Sequence, residues 1–175
     1  MGKSSLTYRF INYNTPQEND PTIEDRYKID VNIENKDYIV EILDTGEDLY
    51  ENITDMWISF GEGFLLVFAI NDADSFEKIK LLYNRILKGK HGIKYPILLV
   101  GNKQDLENER KVSYDDAKQL ADSWGIEYIE TSAKTKFNYK EPFEKLAQKV
   151  VLSKRIITHP LPPSCIILCA MCNII

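Results

Sequence analysis

With 175 residues, 43% of them hydrophobic, the chain has the length and composition of one globular domain and leaves no room for a second. Twenty-seven acidic against 22 basic residues give a net charge of −5, which argues against nucleic acid as a partner. His91 and His159 are too few to build a histidine metal site; the three cysteines, Cys165, Cys169 and Cys172, fall in the last eleven residues, so no disulfide framework is expected and a reducing, cytosolic setting is.

Residues 4–13 carry Leu6, Phe10 and Tyr13 at helical spacing, and Pro16 forbids continuation. A polar loop follows as far as Glu24. Residues 26–33 alternate Tyr27, Ile29, Val31 and Ile33 with polar neighbours, the period of a half-exposed strand. After a turn at 34–37, residues 38–44 return antiparallel to it. Residues 45–60 read as polar and irregular. The unbroken apolar run 63–70 suits a strand covered on both faces. Ser75 is expected to cap a helix over 76–88, with Ile79, Leu82 and Ile86 on one face. A strand at 97–100, a helix at 114–124, a strand at 128–130 and a helix at 139–155 complete the pattern. This alternation implies an α/β fold, a mainly parallel sheet with helices on both faces. Pro160, Pro162 and Pro163 mark residues 158–175 as a flexible tail, leaving 1–157 as the folded domain.

Residues with chemical potential gather at the ends of these elements. The run from Pro96 to Gly101 opens into Asn102-Lys103-Gln104-Asp105, a buried strand whose carboxyl end offers ligand groups. An ionised Asp only accepts, and its two oxygens match the adjacent N–H donors on one edge of guanine. Adenine lacks that pair and would leave the carboxylate unpaired. Downstream stands Glu130-Thr131-Ser132-Ala133-Lys134. Upstream come Asp44-Thr45-Gly46, the loop Asp20-Pro21-Thr22-Ile23-Glu24-Asp25, and Gly2-Lys3-Ser4. In this order and at these separations the five elements resemble the Ras family of small GTPases, most closely its Ras and Rap-type branch.

The resemblance implies a P-loop NTPase, Ras-like three-layer fold with one antiparallel edge strand, binding GTP/GDP and Mg²⁺. Lys3 would reach the β- and γ-phosphates, with Gly2, Ser4 and Ser5 beside it; Ser4, Thr22 and Asp44 would hold Mg²⁺. Asn102, Lys103 and Asp105 would read the base, the Lys103 stem lying along the ring, and Ser132, Ala133 and Lys134 would present backbone N–H groups to the guanine oxygen. Asp20, Pro21, Thr22, Ile23, Glu24, Asp25, Arg26 and Tyr27 match the effector loop and the edge strand it enters, where a partner's strand could add. Exchange factors and GTPase-activating proteins are the further partners implied.

Three departures qualify that picture. Only Gly2-Lys3-Ser4 of the phosphate loop is present, so most backbone N–H groups that would cradle phosphates are not in this sequence. The first central strand is likewise missing, which would leave two inner strands with unpaired ladder groups. A misplaced start or fragment is one explanation, a naturally shortened, nucleotide-impaired relative the other. Where the family reads Asp-x-x-Gly-Gln, this chain has Asp44-Thr45-Gly46-Glu47, one residue short. Gly46 cannot then donate to the γ-phosphate without rearrangement, and Glu47 replaces the glutamine that orients the attacking water. Finally, Cys172-Asn173-Ile174-Ile175 fits a C-a-a-X prenylation pattern, with Cys169 and Cys165 as palmitate acceptors, implying a lipid anchor at the cytoplasmic face of the plasma membrane or an endomembrane. Two functions stay open: a prenylated GTPase switch, and a non-hydrolysing membrane-bound interaction module.

Overall fold

A computed structural model describes residues 2–12, 24–45, 51–91, 93–157 and 165–171. In chain order these form α1 (Lys3–Asn12), β1 (Glu24–Ile33), β2 (Lys36–Thr45), α2 (Glu51–Phe60), β3 (Gly63–Ala69), α3 (Ala73–Gly89), β4 (Ile97–Asn102), a 3-10 helix (Gln104–Glu109), α4 (Tyr114–Trp124), β5 (Glu127–Glu130), α5 (Glu141–Ile157) and β6 (Cys165–Met171). The six strands make one sheet in the order β1-β2-β6-β3-β4-β5. Only the β1–β2 pair at one edge is antiparallel.

Alternating side chains send the sheet's apolar groups into two cores, one on each face. On the first, α1 and α5 bring Leu6, Phe10, Phe143, Leu146 and Val150 against Val40, Ile42, Leu65, Val67, Leu98 and Leu168. Phe10 and Phe143 stack there with centroids 4.4 Å apart. On the second, α2, α3 and α4 cover Leu43, Phe64, Leu66, Phe68, Leu99 and Cys169 with Trp57, Ile58, Phe76, Ile79, Leu82, Ile86 and Ala117. The three-layer arrangement is the one the alternation of elements implies.

The centre of the sheet differs from expectation. Residues 165–171, read as part of a flexible tail, form β6 and lie between β2 and β3, parallel to both. Ile39 to Asp44 pair with Cys165 to Ala170 on one side, and Gly63 to Leu66 pair with Leu168 to Met171 on the other. The two inner ladders expected to lack a partner therefore have one. The physical reason is composition: Cys-Ile-Ile-Leu-Cys-Ala-Met is a short apolar run of the kind a strand buried on both faces requires. Leu168 and Cys169 are both 0% exposed, one on each face. Glu62 fixes the entry of this strand. Its N–H donates to the Ile167 carbonyl (2.9 Å), its Oε2 accepts from the Ile167 N–H (3.1 Å), and its Oε1 pairs with Lys154 of α5 (2.6 Å).

Two local expectations are also corrected. Residues 51–60, read as irregular, are helical, because Trp57 and Ile58 pack inward while Met56 and Phe60 stay exposed. The cap of α3 is Asp72 rather than Ser75, its carboxylate accepting from the N–H groups of Asp74 and Ser75. Ser75 is buried and accepts instead from the Ala69 N–H (3.1 Å), tying the helix start to the end of β3.

Candidate functional site

The carboxyl ends of β2, β3 and β4 and the amino end of α1 meet at one end of the sheet. Asn102, the last residue of β4, is 1% exposed and organises this corner. Its Nδ2 donates to the Gly2 carbonyl (3.1 Å), and its Oδ1 accepts from the Thr131 hydroxyl (3.2 Å). One amide thus joins the start of α1 to the segment after β5. Gly2 has φ +81°, and a Cβ there would come 2.7 Å from that amide nitrogen, so glycine is needed on both counts. One position earlier on β4, a Cβ on Gly101 would meet the Tyr128 hydroxyl at 2.4 Å.

Lys103 follows in the left-handed region (φ 67°, ψ 35°), a conformation that costs a lysine free energy and recurs where a chain must present ligand groups. It turns the backbone into the 3-10 helix that carries Asp105. The Ser132 hydroxyl donates to Asp105 Oδ1 and accepts the Thr135 N–H (3.1 Å). A carboxylate has about four acceptor sites, so Asp105 is oriented by Ser132 while keeping capacity for a base. Arg9 of α1, 2% exposed, donates from Nε to the Ala133 carbonyl (2.8 Å). Sequence reading missed this residue; its place one position before the apolar Phe10, on the inward side of α1, was the available signal. Together Gly2, Ser5, Arg9, Asn102, Lys103, Asp105, Leu106, Ala133 and Lys134 line a cavity of about 350 Å³. A larger hollow of about 500 Å³, beside Phe10, Val31 and Lys140, holds none of the sequence-predicted site residues.

Behind the cavity, Arg110 grips two carboxylates. Its Nη1 and Nη2 take both oxygens of Glu130 (2.8 and 2.9 Å), while Nε and Nη2 take those of Glu107 (2.8 and 2.6 Å). The hydrogen bonds to Glu130 first, then to Glu107, raise the Arg110 pKa above its already high ordinary value. Glu107 lies on the 3-10 helix after Asp105 and Glu130 just before Ser132, so one guanidinium holds both segments that line the cavity. Arg110→Ala is expected to lower unfolding free energy by about 2 kcal/mol, the value of charged hydrogen bonds discounted for partial exposure. Arg110→Lys should recover little of it, because an ammonium has no fork. Urea midpoints for the two variants measure this.

At the other end of the cleft, Lys3 and Asp44 form a buried ion pair. Lys3 Nζ lies 2.6 Å from Asp44 Oδ1 and 3.5 Å from Ser4 Oγ, and the paired side chains are 4% and 1% exposed. Sequence reading gave Lys3 to phosphates and Asp44 to a metal; the structure sets them against each other. Ser4 and Asp44 offer hard oxygen donors within reach of one ammonium, a set that suits Mg²⁺ when phosphates and waters complete its shell. No group of three or more acidic, His or Cys side chains able to hold a metal occurs among the described residues. Asp20, Pro21, Thr22 and Ile23, Gly46 and Glu47, and Cys172 lie outside the described residues.

Of the remaining expected residues, Glu24, Asp25, Arg26 and Tyr27 open β1, the edge strand, with Arg26 55% exposed and 3.6 Å from Glu41. Cys165 starts β6. Cys169, expected to accept palmitate, is buried with its thiol 3.6 Å from the Trp57 carbonyl oxygen.

The model of the Ras family matches residues 1–152. Protein ras-1 of Neurospora crassa is 43% identical over 151 residues, which is 86% of this chain and 71% of that protein. Ras-like protein RAS2 of Hydra vulgaris is 40% identical over 162 residues, 92% of this chain and 84% of that protein.

Proposed function

The chain belongs to the Ras family of small GTPases, and from that premise we propose that it is a guanine-nucleotide-binding protein whose base-reading half is complete and whose phosphate-binding half, within these 175 residues, is impaired. The observation that carries this reading is the convergence of Asp105, Asn102 and Lys103 with Ala133 and Lys134 on one cavity, against the closed Lys3–Asp44 pair at the phosphate end.

Asp105 accepts the two adjacent guanine donors, Ser132 holding its carboxylate in place. The Lys103 stem covers the ring. Bound Mg²⁺ would neutralise charge on the phosphates, with Ser4, Asp44 and Thr22 as its protein ligands. To meet a nucleotide, Lys3 must leave Asp44, and separating a buried pair is costly until phosphate and metal replace the partners. Hydrolysis is slow in this reading. Glu47 accepts from water but cannot donate to phosphoryl oxygens, and it sets like charge beside them. The one-residue contraction before Gly46 adds to the defect.

Members of this family act through effectors, exchange factors and GTPase-activating proteins. Here the β1 edge, opened by Asp25, Arg26 and Tyr27, is the effector surface, and Arg26 alters the choice of partner. Cys172 is the prenyl acceptor of a membrane anchor. No helix among the described residues is long and apolar enough to cross a membrane.

The test is a thermal melt with millimolar nucleotide and Mg²⁺. GDP and GTP should raise the melting temperature by a degree or so, ~RT ln(1 + [L]/Kd) with weak Kd, and ADP and ATP should not. Equal shifts for both bases would contradict the assignment of the cavity.

A further inference from the structure

Two bonds tie α1 to the segment that follows β5. At the start of the helix the Gly2 carbonyl accepts from Asn102, whose Oδ1 takes the Thr131 hydroxyl. Near its end Arg9 donates from Nε to the Ala133 carbonyl (2.8 Å), 124 positions away. The last turn of a helix favours a cation, but an arginine at the surface would meet that preference. Arg9 is instead buried, and it belongs to the cavity wall together with Ala133 and Lys134, the two residues whose shared peptide it holds. Taking a guanidinium out of water is costly, and a neutral apolar side chain would fill the same wall without that cost. A peptide unit is planar and trans, so its carbonyl and the following N–H point in opposite directions. Gripping the Ala133 oxygen therefore sets the direction of the Lys134 N–H. Neighbouring donors are engaged, the Ser132 N–H with the Phe137 carbonyl (2.9 Å) and the Thr135 N–H with the Ser132 hydroxyl (3.1 Å). Between them, the Ala133 and Lys134 N–H groups make no hydrogen bond among the described residues. A charged donor on the carbonyl also polarises the peptide and strengthens its N–H as a donor.

We infer that Arg9 is a positioning residue for base recognition: it aims and polarises the Ala133–Lys134 peptide so that the Lys134 N–H meets the oxygen at C6 of guanine. The inference rests on the reading of the cavity as a guanine site, and it names the residue that sets the strength of one contact there. Arg9 acts through that peptide and not on the base itself. Asp105, held by Ser132, reads the neighbouring donors of the same base edge, so the two contacts are separable by changing one base atom.

The experiment titrates GMP and 6-thio-GMP, in which sulfur replaces that oxygen, into the full 175-residue chain and its Arg9→Ala and Arg9→Gln variants by ligand-observed NMR. Sulfur is a weak acceptor, so the native chain should favour GMP by about fivefold, the worth of one hydrogen bond. In Arg9→Ala that ratio should fall below about twofold, with GMP weakened about fivefold and 6-thio-GMP less than about twofold. Arg9→Gln keeps a neutral donor and should hold an intermediate ratio. A merely structural role would weaken both ligands alike and leave the ratio unchanged, and that result overturns the inference. AMP bound to the native chain as tightly as GMP sinks the guanine reading itself. In isotope-labelled native protein the Lys134 amide proton should move downfield with GMP and by less than about half as much with 6-thio-GMP. Equal shifts also overturn the inference, and this second measurement decides the matter should Arg9→Ala fail to fold.

Discussion

Leu168→Asp should abolish cooperative unfolding of the protein at 25 °C, and Leu168→Ala should weaken it by about 2–5 kcal/mol. Leu168 pairs with Ile42 on one side and Gly63 on the other, is 0% exposed, and packs in the core shared by α1 and α5. Gly63 leaves room for it, since a Cβ there would lie 3.1 Å from Leu168 Cδ2. A domain of this size has a margin of roughly 5–15 kcal/mol, and an unpaired carboxylate in that core consumes much or all of it. The loss is larger than for an edge element because β2 and β3 would both lose a partner. Circular dichroism through a urea series separates the outcomes. Wild-type midpoints for both variants would place β6 outside the sheet.

Asp105→Asn should invert base preference. The measurement needs tight binding, so it is made in a fusion that places a strand and complete glycine-rich phosphate loop ahead of Gly2. In that protein the variant should lose at least about a hundredfold in guanosine over xanthosine nucleotide affinity. An amide donates where the carboxylate only accepted, which suits the extra carbonyl of xanthine and leaves a guanine donor unpaired. Ser132 still orients the side chain, so the change is one of hydrogen-bond sense and not of position. Unchanged selectivity in competition titrations would remove Asp105 from base reading.

What was legible in the sequence followed periodicity and local chemistry. The β1–β2 hairpin showed its period of two, but its turn is tighter than 34–37 suggests. Glu34 and Asn35 both take positive φ (50° and 60°), a two-residue turn that lets pairing run to Ile33↔Lys36. Glu34 is not a residue that announces such a turn. α2 was legible and passed over: Ile53, Met56, Trp57 and Phe60 stand at i, i+3, i+4 and i+7, but they are scattered through a polar stretch that read as irregular. β6 was hidden for another reason. Its apolar run was visible, but prolines before it and a cysteine pattern after it argued for a tail. Whether a short apolar run is a strand depends on a vacancy elsewhere in the fold, here more than 100 residues away, where Glu62 meets Ile167. At the site, Asn102, Lys103, Asp105, Ala133 and Lys134, which line one cavity, could be singled out because each belongs to a contiguous motif. The Lys3–Asp44 pair and the Arg9–Ala133 bond join residues 41 and 124 positions apart, and such contacts have no local signature.

The proposed function sets an open base cavity beside a phosphate end closed by the Lys3–Asp44 pair, and the dependence of affinity on phosphate number tests it most directly. Guanosine, GMP, GDP and GTP would each be titrated, with Mg²⁺, into the 175-residue chain and followed by isothermal calorimetry or ligand-observed NMR. Binding should be weak, with dissociation constants near or above ~0.1 mM, equivalent to about 5.5 kcal/mol or less, that vary little along the series, and none should be seen for adenosine. Nanomolar GTP binding, with affinity climbing steeply as phosphates are added, would contradict it.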